Sequence, residues 1–263
     1  MDRDDRAKVT RSDLRGFLSD VHSEQRSQGV DYAELRVSPR RFLADGMSWS
    51  EFLEIIDSSL LALRDPAVRA VLLVNRDSPQ ELLDDCLNLL DDLPSAFIGV
   101  DLAGDETTHP DVTGFEPFFA AAASAGLGAS VHAGEFGPEE HVWRALDRLG
   151  ARRIGHGVAA GSSRALVRRL ARDSILVEVS LSSNAALGAV PSLAAHPVLT
   201  LLEHGVPVSF NADIPLHTGR SFTDEIDEAA VLLDLDRAAV LDIQASAAAF
   251  RFPARSEALP SGG

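Results

Sequence analysis

Short apolar runs alternate with longer segments of mixed polarity along almost the whole chain. Seven of the runs are rich in Val, Ile, Leu and Phe, as expected of strands that are buried on both faces. They lie at residues 32–37, 70–75, 97–102, 129–133, 153–156, 175–179 and 206–211. Strands and helices in alternation predict a parallel sheet of the α/β class.

The segments between these strands repeat their apolar residues at helical spacing. Ser48 precedes a helix predicted over residues 49–63, and Glu51 follows three residues later, which is the spacing of a capping box. Gly126 and Gly150 each follow a predicted helix, where a left-handed residue is favoured. The other predicted helices cover residues 11–28, 79–90, 116–125, 138–149, 163–171, 198–204, 224–233 and 237–250.

The number of strands is one fewer than a closed (β/α)8 barrel contains. A helix at residues 11–28 precedes the first visible strand, so we expect a TIM-type barrel that lacks its first strand. The length of 263 residues suits one barrel domain over 1–263, with a leading helix within 1–30 and a frayed tail at 254–263. Because the chain has neither a GxGxxG turn after its first strand nor a P-loop, dinucleotide and nucleoside-triphosphate folds are disfavoured.

Composition excludes several classes of function. The formal net charge is −16, so nucleic acid is not an expected partner. The single cysteine, Cys86, is predicted to lie in the core, and one cysteine rules out an internal disulfide or a cysteine-rich zinc site. No signal peptide or membrane span is evident, so we expect a cytoplasmic protein that has no contact with a membrane.

Polar side chains follow four of the predicted strands. Two of these segments place histidines, His132 in Val-His-Ala-Gly-Glu and His156 between two glycines. The other two place Asp101 and Asp213. Imidazole and carboxylate groups at the carboxyl ends of parallel strands meet at one rim, where barrels hold their active sites. The pattern therefore indicates metal-dependent hydrolysis.

Each of these residues, taken alone, also has a purely structural interpretation. His132 is compatible with a core histidine, His156 with a tight turn, and Asp213 with an Asx turn. Asp105 and Glu106 are expected to lie in a solvated loop. The four segments together favour a functional rim over four separate structural explanations.

Several segments in this order resemble the adenosine deaminase family of the amidohydrolase superfamily. They are residues 32–39, 99–106, 131–135, 153–157, 178–188 and 209–213, and the last helix at 245–250 is similar to the family's ending. The resemblance runs through nearly the whole chain and implies a (β/α)8 barrel that holds one zinc ion. It also implies hydrolytic release of ammonia from a purine nucleoside or a related aminated base.

The resemblance assigns roles to individual residues. His132 and Asp213 would bind Zn²⁺, whose bound water then has a pKa near about 7. Glu135 would protonate the purine ring nitrogen beside the attacked carbon. His156 would act as a base and as an electrostatic anchor for the water, and Asp213 also belongs to the catalytic set.

Four further residues are assigned to substrate binding. The backbone of Gly104 would meet the edge of the purine, and Asp101, Ser183 and Ile214 would line the same pocket. We expect a small-molecule substrate as the partner.

The sequence departs from the family in two places. The family's first strand ends in His-x-His, which supplies two zinc ligands, and this sequence has no such motif. His22 is the only histidine before His109 and is predicted to lie at the surface. The missing strand and the missing ligands both indicate the absence of the same N-terminal segment. The family's second acid after the last strand is replaced by Ile214, which cannot form a hydrogen bond.

Three hypotheses from different classes remain. The chain is an active zinc aminohydrolase with a modified pocket, a non-catalytic relative that binds without turnover, or an assembly module. The last would pair the open edges of the sheet with a second chain, since exposed strand edges favour self-association. A zinc deaminase of the cytidine type is excluded, because it needs two cysteines.

Overall fold

Seven parallel strands form one sheet in sequence order in the computed structural model, which describes residues 8–254. Each strand pairs with the next through a parallel register. The strands are β1 (Tyr32–Val37), β2 (Ala67–Asn75), β3 (Phe97–Ala103), β4 (Gly128–Ala133), β5 (Arg153–His156), β6 (Leu176–Val179) and β7 (Val208–Phe210). The predicted count of seven strands is confirmed. β1 and β7 are the two edges, and the sheet curls into an open barrel.

Helices precede β1, connect the consecutive strands and follow β7. They are α1 (Arg11–Ser27), α2 (Arg40–Ala44), α3 (Trp49–Ala62), α4 (Gln80–Leu89), α5 (Glu116–Ser124), α6 (Glu139–Leu149), α7 (Arg164–Arg172), α8 (Leu181–Ala186), α9 (Val198–Glu203), α10 (Pro215–Thr218), α11 (Phe222–Leu233) and α12 (Arg237–Ser246). The sequence did not predict α2, α8 and α10, which have four to six residues, whereas it did predict α9, which is equally short but rich in apolar residues. The helix predicted over 237–250 ends its α-helical part at Ser246 and continues as a 3₁₀ turn to Phe250.

The predicted capping box at Ser48 and the two left-handed glycines that follow helices are confirmed. The Ser48 hydroxyl accepts the Glu51 N–H at 3.3 Å, and the Glu51 carboxylate accepts the Ser48 N–H at 2.9 Å. Gly126 and Gly150 have φ of 75° and 63°, in the left-handed region that glycine adopts without a Cβ penalty.

The core lies between the sheet and the helices. Cys86 is fully buried there, as predicted. The prediction of a surface position for His22 was wrong, since only 8% of this residue is exposed. Leu14, Leu18 and His22 follow one another at four-residue spacing, so they share the face of α1 that packs against α3.

Phe252 closes the end of the barrel where the strands begin. A Cβ atom added to Gly128 would lie 1.9 Å from its ring, and one added to Gly99 would lie 2.5 Å away, so both glycines are needed for this packing. The Arg153 guanidinium carbon lies 3.5 Å from the centroid of the same ring. The predicted frayed tail falls outside the described residues, apart from residue 254.

In the described part of the chain, no helix combines the length and the apolar character that crossing a membrane requires.

Candidate active site

The predicted site residues meet at the carboxyl ends of the strands. His132 lies in β4 and His156 ends β5, and their ring centroids are 5.1 Å apart. Glu135 follows β4 and places Oε2 3.5 Å from Nε2 of His156. Asp213 follows β7 and accepts a hydrogen bond of 2.6 Å from the hydroxyl of Ser183 on α8. The structure thus brings these side chains to one rim.

His156 and Asp213 have φ of 64° and 53°. Positive φ is uncommon for residues with a side chain and costs on the order of 1–3 kcal/mol at each position. Strain of this kind is found most often where side-chain placement serves a site.

Asp101 lies beneath His132 rather than in the open pocket. Its carboxylate is fully buried, pairs with Arg36, and places Oδ2 2.9 Å from Nδ1 of His132. Burial opposes the charge on Asp101, but His132 and Arg36 outweigh burial and lower the pKa of this carboxyl. Burial alone would lower the pKa of His132, and Asp101 raises it. These contacts favour a positioning role for Asp101, and its contact with substrate stays a prediction.

A layer of paired charges continues below Asp101 inside the barrel. Arg36 also contacts Glu178 and donates to the Ser130 hydroxyl at 3.0 Å. Burial raises the pKa of Glu178, but Arg36 and Arg153 overcome this effect and lower it. Sequence analysis assigned no role to Arg36 and Glu178, although charged residues within apolar strands are a signal that they have partners.

Glu135 and His156 have pKa values that are shifted in opposite directions. Burial raises the pKa of Glu135 to about 7, against the opposing charge of His132. Burial lowers the pKa of His156 to about 4, and the charge of His132 acts in the same direction. Between these values the rim holds a neutral carboxylic acid beside a neutral imidazole.

Glu106 fixes the loop that carries Glu135, and the prediction that it lies in a solvated loop was wrong. Its buried carboxylate accepts three backbone N–H groups of that loop at 2.8–2.9 Å and lies 2.9 Å from Nδ1 of His141. The three N–H groups belong to Gly134, Phe136 and Gly137. Glu106 therefore holds the main chain on both sides of Glu135.

The carboxylate of Glu225, on α11, caps the start of α8, the helix that carries Ser183. It is fully buried and accepts the N–H groups of Leu181 and Ser182 at 2.8 and 3.1 Å. These are donors that the first turn of a helix cannot satisfy internally. Burial raises the pKa of Glu225 to about 7, and the hydrogen bonds from Ser182 oppose the rise.

Gly104 follows the carboxyl end of β3, and Ile214 lies four residues after the end of β7. Gly104 has φ of 108°, and an added Cβ would lie 3.4 Å from the backbone nitrogen of Arg76. Ile214 directly follows Asp213 and is 44% exposed. Their predicted contacts with substrate stay predictions, as does that of Ser183.

The donor chemistry suits zinc only in part. His132 and Asp213 offer the imidazole and carboxylate that zinc accepts, but a catalytic zinc site has three protein ligands. Within residues 8–254, no group of three or more His, Cys, Asp or Glu side chains is placed to hold a metal ion. The described residues therefore do not complete a zinc site.

Comparisons with known proteins agree with the geometry. The family model described as adenosine deaminase matches residues 7–259. The chain is 37% identical over 238 residues to an adenosine deaminase of Edwardsiella ictaluri, which covers 88% of this chain and 71% of that protein. It is 35% identical over 223 residues to an adenosine deaminase of Vibrio parahaemolyticus, with 82% and 65% covered. The chain thus matches about two thirds of the length of such relatives.

Solved structures share the fold. An adenine deaminase from Arthrobacter aurescens has a TM-score of 0.77 at 25% identity, over 91% of this chain and 80% of that one. An N6-methyl-AMP deaminase from Arabidopsis thaliana has a TM-score of 0.82 at 22% identity, with 94% and 75% covered. An amidohydrolase from Burkholderia ambifaria with bound Zn has a TM-score of 0.81 at 20% identity, with 89% and 66% covered. The last two support the TIM-barrel fold alone.

Proposed function

Because the chain belongs to the adenosine deaminase family, we propose that it is a hydrolytic deaminase of purine compounds. The proposed substrate is a nucleoside or nucleobase with an exocyclic amine, from which water displaces ammonia. The similarity to adenosine deaminases supports a small-molecule partner. A cytoplasmic location stays a prediction.

The observation that carries this proposal is the pair formed by Glu135 and His156. Deamination of an aromatic amidine needs a group that gives a proton to the ring nitrogen and a group that holds the attacking water. A carboxyl whose pKa is about 7 is protonated in about half of the molecules at neutral pH, and so it can donate. His156, 3.5 Å away, supplies the neighbouring polar group.

The proposed steps use the protein's own side chains. Glu135 donates its proton to the ring nitrogen, which makes the adjacent carbon more electrophilic. His156 orients the water that attacks this carbon. The proton that the water loses passes to the amino group, which leaves as ammonia, and the hydroxyl proton of the intermediate returns to Glu135 as the carbonyl forms. Asp213, whose carboxylate accepts a hydrogen bond from the Ser183 hydroxyl, is the group that we propose carries the proton from the water to the amino group.

The metal is a separate part of the proposal. We propose Zn²⁺ as the cofactor, since His132 and Asp213 have the right donor atoms and a structural relative was solved with bound Zn. Two ligands bind zinc far less tightly than three or four. Elemental analysis of the purified chain measures whether it retains zinc, and His132→Ala gives the matched control.

A second candidate is a non-catalytic relative that binds purines without turnover. The incomplete ligand set in the described residues is the observation that favours it. Equilibrium binding of adenosine without release of ammonia, at any zinc concentration, would support this candidate over the enzyme.

The main test is ammonia release from adenosine and from adenine, with zinc added, by the chain and by Glu135→Gln. We expect turnover by the chain and a loss of about 10²–10⁴-fold in the variant, because glutamine has no acidic proton to donate. Unchanged zinc content in Glu135→Gln shows that the loss is chemical. Equal turnover by the two proteins would exclude Glu135 as the acid.

A further inference from the structure

Asn184 and His196 are two buried residues that connect the start of α9 to both Glu135 and His156. Asn184 is fully buried on α8, and His196 lies two residues before α9. We propose that they are positioning residues that fix His156 as the tautomer with its proton on Nε2. The catalytic meaning of this inference rests on the proposed function, whereas the hydrogen-bond pattern does not.

The direction of each hydrogen bond in this chain can be deduced from one group that can only donate. The backbone N–H of Val198, in the first turn of α9, donates to Nδ1 of His196 at 3.1 Å. A main-chain N–H can only donate, so Nδ1 is the acceptor. Burial lowers the pKa of His196 to about 4, which keeps the ring neutral. A neutral imidazole has one N–H, and in His196 it is therefore Nε2.

His196 in turn orients the side-chain amide of Asn184. Its Nε2–H lies 3.3 Å from Oδ1 of Asn184 and donates to it. The amide nitrogen then faces the site, 2.9 Å from Nδ1 of His156 and 3.1 Å from Oε1 of Glu135. An amide nitrogen has two hydrogens and no acceptor, so Asn184 serves both groups as a donor.

The tautomer of His156 follows from this arrangement. Because its Nδ1 accepts from Asn184, the ring proton of neutral His156 lies on Nε2, the nitrogen 3.5 Å from Glu135. His156 thus presents a donor to the pocket. This geometry suits an anchor for the oxygen of the water, whereas a base at Nε2 would first have to lose its own proton.

The test is the tautomer of His156 in the metal-free, substrate-free chain. Long-range proton–nitrogen NMR of the protein labelled with ¹⁵N-histidine separates protonated from unprotonated ring nitrogens, and His156→Gln assigns the signals. We expect a protonated Nε2 and an unprotonated Nδ1 for both His156 and His196. A proton on Nδ1 of His156 in the unmodified chain would overturn the proposal.

Asn184→Asp provides the decisive variant. A carboxylate at this position still accepts from His196 but cannot donate to His156, so we expect the His156 proton to move to Nδ1. Asn75→Asp is the matched control, since Asn75 ends β2 and has no contact in this chain of hydrogen bonds. If Asn184→Asp folds and leaves the His156 signals unchanged, Asn184 does not set the tautomer.

A second pair of variants tests His196 without changing Asn184. Gln at position 196 retains a donor for Asn184 and an acceptor for Val198, whereas Phe retains only the ring. We expect His196→Gln to preserve the His156 tautomer and His196→Phe to give a mixture. Identical spectra for the two variants would contradict the role of His196. Ammonia release is measured separately. A chain with the expected tautomer and no turnover would refute the proposed function and leave the proposed tautomer standing.

Discussion

The carboxylate of Asp101 contacts two groups at once, the guanidinium of Arg36 and the imidazole of His132. The carboxylate is fully buried, and burial raises its pKa, but His132 and Arg36 outweigh this effect and lower it. Removal of one partner from a buried ion pair leaves the other charge without compensation, which costs more than the pair itself contributes. The stability of the fold and the orientation of His132, a predicted metal ligand, therefore both depend on the Asp101 side chain.

We predict that Asp101→Asn lowers the free energy of unfolding by about 3–5 kcal/mol at pH 7. Urea unfolding followed by circular dichroism measures the change. Asp77→Asn is the control, because Asp77 forms an exposed pair with Arg40 and such pairs contribute less than about 1 kcal/mol. Similar losses of unfolding free energy in the two variants would show that the buried pair contributes no more than the exposed one.

The sequence revealed the site residues that follow a strand within a short motif, such as His132 and His156. It did not reveal residues whose partners are distant in the chain. Arg36 meets Asp101 across 65 positions and Glu178 across 142. Such pairings depend on the curvature of the sheet, which local patterns of polarity do not encode.

At the scale of elements, α8 depends on a carboxylate from another helix. The pKa of Glu225 is raised from 4.5 to about 7, chiefly by burial. An acid whose pKa is higher in the folded state contributes stability that is fully present below pH 4.5 and is lost as the pH rises through 7. The first turn of α8, and with it Ser183, is therefore sensitive to pH in this window.

We predict that Glu225→Gln removes this part of the pH dependence. The difference in the free energy of unfolding between pH 5 and pH 8 should shrink by up to about 3 kcal/mol relative to the unmodified chain, because glutamine does not titrate. Denaturant titrations at both pH values measure it. Glu54→Gln, at an exposed position on α3, should keep the full difference. A full difference in Glu225→Gln as well would exclude Glu225 as its source.

A second element-scale feature is the segment after α12. We predict that Phe252→Ala lowers the free energy of unfolding by about 3–5 kcal/mol, because the ring fills the space above Gly99 and Gly128. Thermal or urea unfolding measures this loss. Phe136→Ala is the control, since Phe136 is about half exposed and its loss should cost less than about 1 kcal/mol. An equally small effect at Phe252 would mean that the barrel closes without it.

The short helices illustrate why some elements escaped sequence analysis. α8 has six residues, and its start is fixed by Glu225 from α11 rather than by a capping residue of its own. The equally short α9 was predicted from its apolar residues. The longer helices were predicted because their apolar faces repeat over several turns. The strands were predicted because burial on both faces makes each one a continuous apolar run.

At the scale of the whole molecule, the described sheet is open between β1 and β7. The Asn211 N–H bonds to Val179 in β6, so the preceding N–H, that of Phe210, points towards the open edge. Gln244 of α12 accepts this N–H at 2.7 Å. A side chain thus occupies one hydrogen-bonding position of the edge that another strand would use. Self-association through the open edge stays a prediction.

We predict that Gln244→Leu increases self-association. Leucine cannot accept the Phe210 N–H, so the edge of β7 becomes available for pairing with another chain. Light scattering during size-exclusion chromatography, at increasing concentration, measures the change in mass. Gln80→Leu on the exposed face of α4 is the matched control. If both variants associate to the same extent, added apolar surface rather than edge exposure is the cause.

The opposite pKa shifts of Glu135 and His156 determine how a pH–rate profile of this protein should be interpreted. The neutral imidazole is present above about pH 4 and the neutral carboxylic acid below about pH 7. The acid limb of kcat/KM would then belong to a histidine, and the alkaline limb to a glutamate. Assignment from the ordinary pKa values of these side chains would exchange the two residues.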